Sequence, residues 1–196
     1  MKFFVNFLSA FRIAAAFAII PAIMFHMYWT AFILFVLGAV SDFADGFLAR
    51  RYNVCSKLGG VMDHIGDKLL VANTLIMLGI MMPVWFVVVP IILLIARELY
   101  ISGLREFIGT QKMEMPVPKA RFSMGKIKTT LQMITVAAFL FLFAITTVSN
   151  IENITRATLI TMNIVSQAGI VGLWLSLAAS LISAAQYTVT FVKKIK

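Results

Sequence analysis

Six apolar stretches take up most of this 196-residue chain, and they decide what it can fold into. They run over Phe7–Trp29, Ala31–Arg50, Leu58–Met82, Trp85–Ile108, Ile127–Val148 and Thr158–Val192, with edges soft by several residues. A helix that crosses a bilayer needs roughly 20 predominantly apolar residues, and every stretch supplies them. A soluble domain carries about a quarter charged residues; here only 13% are charged and 61% are hydrophobic. A transmembrane β-barrel is excluded, because barrel strands alternate polar with apolar residues instead of running unbroken. A cleaved signal peptide before a soluble remainder is excluded as well, since the apolar runs continue to the C-terminus. The expectation is an all-α membrane protein of six transmembrane helices, with residues 1–196 forming one polytopic domain.

Charge sets its orientation. Lysine and arginine accumulate in cytoplasmic connections. With the N-terminus in the cytoplasm, that side carries Lys2, Arg50, Arg51, Lys57, Lys112, Lys119, Arg121, Lys126, Lys128, Lys193, Lys194 and Lys196. The external connections carry only Arg156, so both termini are expected in the cytoplasm, at a bacterial inner membrane. These cations sit at membrane ends and form no single solvated face. The net charge of +9 therefore reads as topology plus attraction for anionic lipid headgroups, with no nucleic-acid partner. Tyr28 and Trp29 are expected to close the first span and Trp85 to open the fourth, as interfacial anchors. Met1–Asn6, with Phe3, Phe4 and Val5 beside Lys2, suits a short interfacial segment. Pro83 marks a tight turn. The last stretch exceeds one span, so its ends are expected to leave the hydrocarbon. No internal repeat is visible, which argues against an inverted-repeat transporter.

All four aspartates fall between residues 42 and 67, inside apolar surroundings. A carboxylate at membrane depth costs about 2.5–3.5 kcal/mol even on a lenient insertion scale, so four of them need compensation. Asp42 and Asp45 share one face of the second helix at i, i+3; Gly59, Asp63 and Asp67 share a face of the third at i, i+4, i+8. The connection centres near Val54, so in an antiparallel hairpin Asp42 comes level with Asp67 and Asp45 with Asp63. Oxygen-only ligation on facing helices points to hard divalent ions such as Mg²⁺ or Mn²⁺. Two such ions about 3.5–4 Å apart form a clamp for displacement at phosphorus. Neutralisation by Arg50, Lys68, Arg97 and Arg105, or a cation pore, are the competing readings of the same charges.

At these residues the sequence resembles a known family. Asp42-x-x-Asp45-Gly46-x-x-Ala49-Arg50, eight residues, then Gly59-x-x-x-Asp63-x-x-x-Asp67 resembles the complete CDP-alcohol phosphotransferase motif. The resemblance implies a six-helix membrane fold, a homodimer, and a catalytic hairpin over residues 31–82. It implies that Asp42, Asp45, Asp63 and Asp67 hold two divalent metal ions, Mg²⁺ or Mn²⁺, against a CDP-linked donor. Asp67 would also be the catalytic base, and Asn6, Gly46, Ala49, Arg50 and Gly59 would line the CDP pocket. The segment Ala96–Glu106 and the run Gly125-Lys126-Ile127-Lys128-Thr129-Thr130 further resemble the phosphatidylglycerophosphate synthases of that family. That branch implies CDP-diacylglycerol as donor and glycerol 3-phosphate as acceptor, drawn from the membrane lipids and the cytoplasm respectively. Other acceptors within the same chemistry are phosphatidylglycerol, inositol phosphate and serine; a channel or transporter is the reading from another class.

The residues themselves bear on the acceptor. Arg97 and Arg105 lie within about 80° of each other on one helix. With Arg121, Lys126 and Lys128 they can assemble a cationic pocket for an acceptor phosphate, or pair with Glu98 and Glu106. The resemblance covers most of residues 6–132, with departures. Where the synthases open with Pro-Asn and a Thr before an Arg, this chain has Val5, Asn6, Ser9 and Arg12. Where they have Asp-Pro-x-Ala-Asp-Lys, it has Asp63-His64-Ile65-Gly66-Asp67-Lys68. His64 falls one residue off the carboxylate face. Cys55 is the sole cysteine and has no disulfide partner. His26 reads as interfacial, and the twelve methionines as adaptable packing.

Overall fold

The computed structural model describes residues 2–52, 57–110, 124–148 and 156–195; side chains at 2–5, 42–52, 57–60, 63, 108–110, 124–127, 148, 157–158 and 193–195 lie outside that description. The described residues form six helices: α1 (Lys2–Met24), α2 (Tyr28–Tyr52), α3 (Lys57–Met81), α4 (Trp85–Thr110), α5 (Met124–Val148) and α6 (Arg156–Ile195). Each corresponds to one apolar stretch. Five are long and apolar enough to cross a membrane, through Asn6–Met24, His64–Met81, Trp85–Phe107, Lys128–Thr147 and Leu159–Val192. α2 differs. It is 25 residues long, and its apolar part among the described residues is Tyr28–Ser41, the side chains from 42 onward lying outside the description. The chain is an integral membrane protein.

Two boundaries depart from the hydropathy pattern. Residues 2–6 are continuous with α1, and its membrane-crossing window opens at Asn6. At the other end of α1, His26 adopts φ 59°, in the left-handed region. Its N–H donates to the Ile23 carbonyl at 3.0 Å, and the Met27 N–H donates to the Ala22 carbonyl at 2.7 Å. This pair of bonds is a Schellman closure, which satisfies carbonyls the helix end would leave bare. Tyr28 and Trp29 therefore open α2 instead of closing α1. Pro83 turns the chain as expected: the Val84 N–H reaches the Met82 carbonyl at 2.8 Å, a three-residue turn whose centre suits the fixed φ of proline.

The chain packs as two compact units. The first comprises Met1–Met81 and Val136–Gln167, the second Met82–Thr135 and Ala168–Lys196. In the first unit α1 packs on α2 and α3. Its buried face is Ser9, Arg12, Ala16, Ile19 and Ile23, a helical stripe that is polar at its start and apolar beyond. α3 meets this stripe at Gly66, where an added Cβ would lie 3.3 Å from Ile13 Cγ1 and 3.5 Å from both Arg12 Cδ and the Ser9 carbonyl. Further along, Asn73 Nδ2 donates to the Ala16 carbonyl at 2.9 Å. Residue numbers rise together on both helices, so α1 and α3 run parallel. At the other end of the unit, Tyr28 and Trp29 rest against Phe143 and Phe141 of α5, with ring centroids 5.7 and 6.0 Å apart.

In the second unit α4 and α6 also run parallel. Trp174 Nε1 donates to the Phe86 carbonyl at 3.0 Å, Arg97 Nε to the Ser180 carbonyl at 3.1 Å, and Arg105 to the Tyr187 hydroxyl at 3.4 Å. The first of these has a covalent cause. Pro90 lies inside α4 and has no N–H to give the carbonyl four residues earlier. That carbonyl belongs to Phe86, and the Trp174 indole takes the proline's place. Inside a bilayer a bare carbonyl has no water to turn to. α5 joins α6 where Gly172 leaves room for Thr135. Lipid is as apolar as leucine, so such packing and hydrogen bonds, more than burial from water, hold the helices together.

Candidate active site

The α2–α3 hairpin carries the candidate site, and Gly38 sets how its helices meet. A Cβ on Gly38 would come within 2.7 Å of Leu70 Cδ2, so any side chain there would force the fully buried Leu70 out of its present seat against α2. This approach lies at the register read from the sequence. One turn further along α2 comes Asp42; one turn back along α3 comes Asp67. The Ser41 hydroxyl donates to the Gly38 carbonyl at 2.8 Å, which takes care of a buried polar group at the same level.

Asp42, Asp45, Gly46, Ala49 and Arg50 all lie within α2, and Gly59, Asp63 and Asp67 within α3. Both helices are continuous through these positions, so the i, i+3 and i, i+4 spacings hold on the backbone. The side chains of the α2 residues, of Gly59 and of Asp63 are outside the described set. Asp67 is described. It is half-buried, and its Oδ1 atom is shielded from solvent. Among the described residues no three acidic, histidine or cysteine side chains gather as a metal group; three of the four aspartates are not among them. The donor set itself fits a hard divalent cation, since it consists of carboxylates alone. His64 is exposed and lies off that face.

α1 supplies the other side of the first unit. Asn6 is half-buried, Ser9 is buried and Arg12 is wholly so. Arg12 entered the sequence reading only as a departure from the family's opening pattern. Its signal was present all the same: it is the one cation inside the first apolar stretch.

The second unit holds the expected acceptor cations. Arg97 is buried; its Nη1 bonds Glu98 at 3.0 Å while its Nε serves Ser180. Lys128, also buried, pairs with the same Glu98. Pairing with Glu98 was one of the alternatives left open for Arg97, and it is the arrangement seen. Two cations thus share one carboxylate, which leaves the cluster net positive. Arg105 is half-buried, with its guanidinium 5.4 Å from the centre of the Tyr187 ring in cation–π geometry. Lys126 lies in the first turn of α5 with its side chain outside the description, and Arg121 lies outside it altogether.

Against known proteins, the chain matches the model of the CDP-alcohol phosphatidyltransferase family over residues 3–181. A Cereibacter sphaeroides protein named CDP-diacylglycerol–glycerol-3-phosphate 3-phosphatidyltransferase is 37% identical over 160 residues, covering 77% of this chain and 67% of its own. A Rickettsia bellii protein of the same name is 40% identical over 135 residues, 65% of this chain and 69% of its own. One from Escherichia coli is 38% identical over 116 residues, 58% and 63% respectively.

Proposed function

The chain belongs to the CDP-alcohol phosphatidyltransferase family, and from that premise we propose that it transfers a phosphatidyl group from CDP-diacylglycerol to glycerol 3-phosphate. The products are phosphatidylglycerophosphate, which stays in the membrane, and CMP. The observation that carries this reading is the eight-position motif from Asp42 to Asp67, spread over two helices that meet at Gly38 and Leu70, a contact in keeping with the motif's register. Relatives that bear this activity in their names support it.

Asp42, Asp45, Asp63 and Asp67 are the residues that would hold two divalent ions, Mg²⁺ or Mn²⁺, whose charge supplies the neutralisation a pyrophosphate donor requires. Asn6, Gly46, Ala49, Arg50 and Gly59 serve the CDP moiety. Asp67 takes the proton from the free primary hydroxyl of glycerol 3-phosphate as its oxygen attacks the donor's β-phosphorus. The bond from that phosphorus to the CMP oxygen breaks, and CMP departs. Arg97, Arg105, Arg121 and Lys126 serve the acceptor phosphate, for which a surplus of buried positive charge is the natural complement. The protein works as a homodimer in a bacterial inner membrane, with both termini and the site on the cytoplasmic side and residues 31–82 as its catalytic hairpin.

The test is CMP release by purified protein in lipid–detergent micelles containing CDP-diacylglycerol and Mg²⁺ or Mn²⁺. Glycerol 3-phosphate, phosphatidylglycerol, inositol phosphate and serine are supplied in parallel. Release with glycerol 3-phosphate alone, abolished by EDTA and restored by excess metal, is the expected result. Release only with another acceptor would overturn the acceptor assignment while keeping the aspartate chemistry.

A further inference from the structure

Arg12 is buried to 0% exposure within the membrane-crossing window Asn6–Met24. A guanidinium keeps its charge inside a protein, and burying it is strongly unfavourable unless an anion compensates. In its own unit the acidic residues are the four aspartates and Glu152. The helix pressed against Arg12 is α3, at Gly66, where an added Cβ would meet Arg12 Cδ at 3.5 Å. Asp67 is the next residue. The polar part of the α1 stripe, Ser9 and Arg12, is confined to this level; beyond it the stripe turns to Ala16, Ile19 and Ile23. A cation is thus buried at the level where α3 carries Asp67, with the two helices in close contact at Gly66.

We propose that Arg12 is a positioning residue for Asp67, a fixed counter-charge that orients the carboxylate from the α1 side. Gly66 brings the helices to this distance: an added Cβ would already be in van der Waals contact with Ser9 and Arg12 and tight against Ile13. The proposal rests on the reading of Asp67 as the catalytic carboxylate, but the coupling of the two residues is measurable without any turnover.

The experiment uses the full chain in micelles. Melting is recorded for wild type, Arg12→Met, Asp67→Asn and the double variant. Either single change leaves one buried charge without its partner, so the double variant is expected to melt several degrees above the additive expectation. Additive shifts would overturn the proposal. Should Arg12→Met fail to fold, Arg12→Gln, which also removes the charge, takes its place in the cycle, under the same criterion. In the CMP-release assay, Arg12→Met is expected to lower kcat about 10²-fold, the scale of a misplaced catalytic group. The KM for both substrates should stay within about threefold, and Arg12→Lys should recover most of the loss. A kcat held at the wild-type level, or a raised KM for CDP-diacylglycerol with kcat intact, would also overturn it. If wild type releases no CMP with any acceptor, the proposed reaction fails and the melting cycle alone decides the pair.

Discussion

Asp67 is where the proposed chemistry is most exposed to a single substitution. Asn replaces the carboxylate at equal size, so Asp67→Asn removes both a metal-ligand charge and the proton acceptor while leaving the helix intact. CMP release should fall by at least about 10²–10⁴-fold, the usual contribution of a positioned base, with the variant still folded by circular dichroism. Normal turnover would sink the catalytic assignment. Glu98 makes a different prediction, about stability. It is shared by Arg97 and Lys128, both buried, so Glu98→Gln leaves two cations facing each other across a neutral amide. Glu98 itself is only half-buried, so the cost falls below the about 3–5 kcal/mol of breaking a fully buried pair from one side. Glu98→Gln should still lower the melting temperature, and adding Lys128→Met should restore part of it. A Glu98→Gln protein that melts with wild type would show that the cluster contributes nothing to stability. The sequence made these residues visible as charges in apolar runs, but not their partners. Arg97 had several acids and phosphates as plausible companions, and only packing selects Glu98 and the Ser180 carbonyl. Arg12 was equally visible and equally unplaced, because what gives it meaning is a glycine on another helix.

At the scale of the helix, hydropathy located all six elements, and the aspartate spacing gave the hairpin its register before any contact was known. What hydropathy missed were local backbone events. The end of α1 is set by a left-handed His26, a conformation that glycine would have announced and histidine does not. The same limit applies to Pro90, which is readable as a missing donor but not as a demand on α6. That demand can be tested. Trp174→Phe keeps an aromatic ring and removes the N–H, so it should cost about 0.6–1.7 kcal/mol, between the average and the maximum measured for hydrogen bonds between membrane helices. In a Pro90→Ala background the backbone N–H returns and the same change should cost close to nothing. Equal losses in both backgrounds, read as melting shifts in micelles, would mean that the indole contributes packing alone.

For the whole molecule, the question is which way the chain faces. On the charge count, the expectation is that the connection between α2 and α3 faces the cytoplasm, and with it the aspartate end of the hairpin. Within the second unit, the parallel course of α4 and α6 puts the C-terminal end of α6 on the same side as the C-terminal end of α4, where Arg105 lies. Within the first, the parallel course of α1 and α3 does the same for their N-terminal ends. Each relation is what alternating successive crossings require, whichever side the termini face. The chain carries its own reporter, since Cys55 is its single cysteine and falls between α2 and α3 in the sequence. A membrane-impermeant maleimide should label Cys55 in inside-out vesicles and leave right-side-out vesicles unlabelled until they are permeabilised. Labelling from the outer face of intact right-side-out vesicles would invert the topology. It would place the aspartates away from the only compartment that supplies glycerol 3-phosphate, so the acceptor would have to be a molecule available at the outer surface.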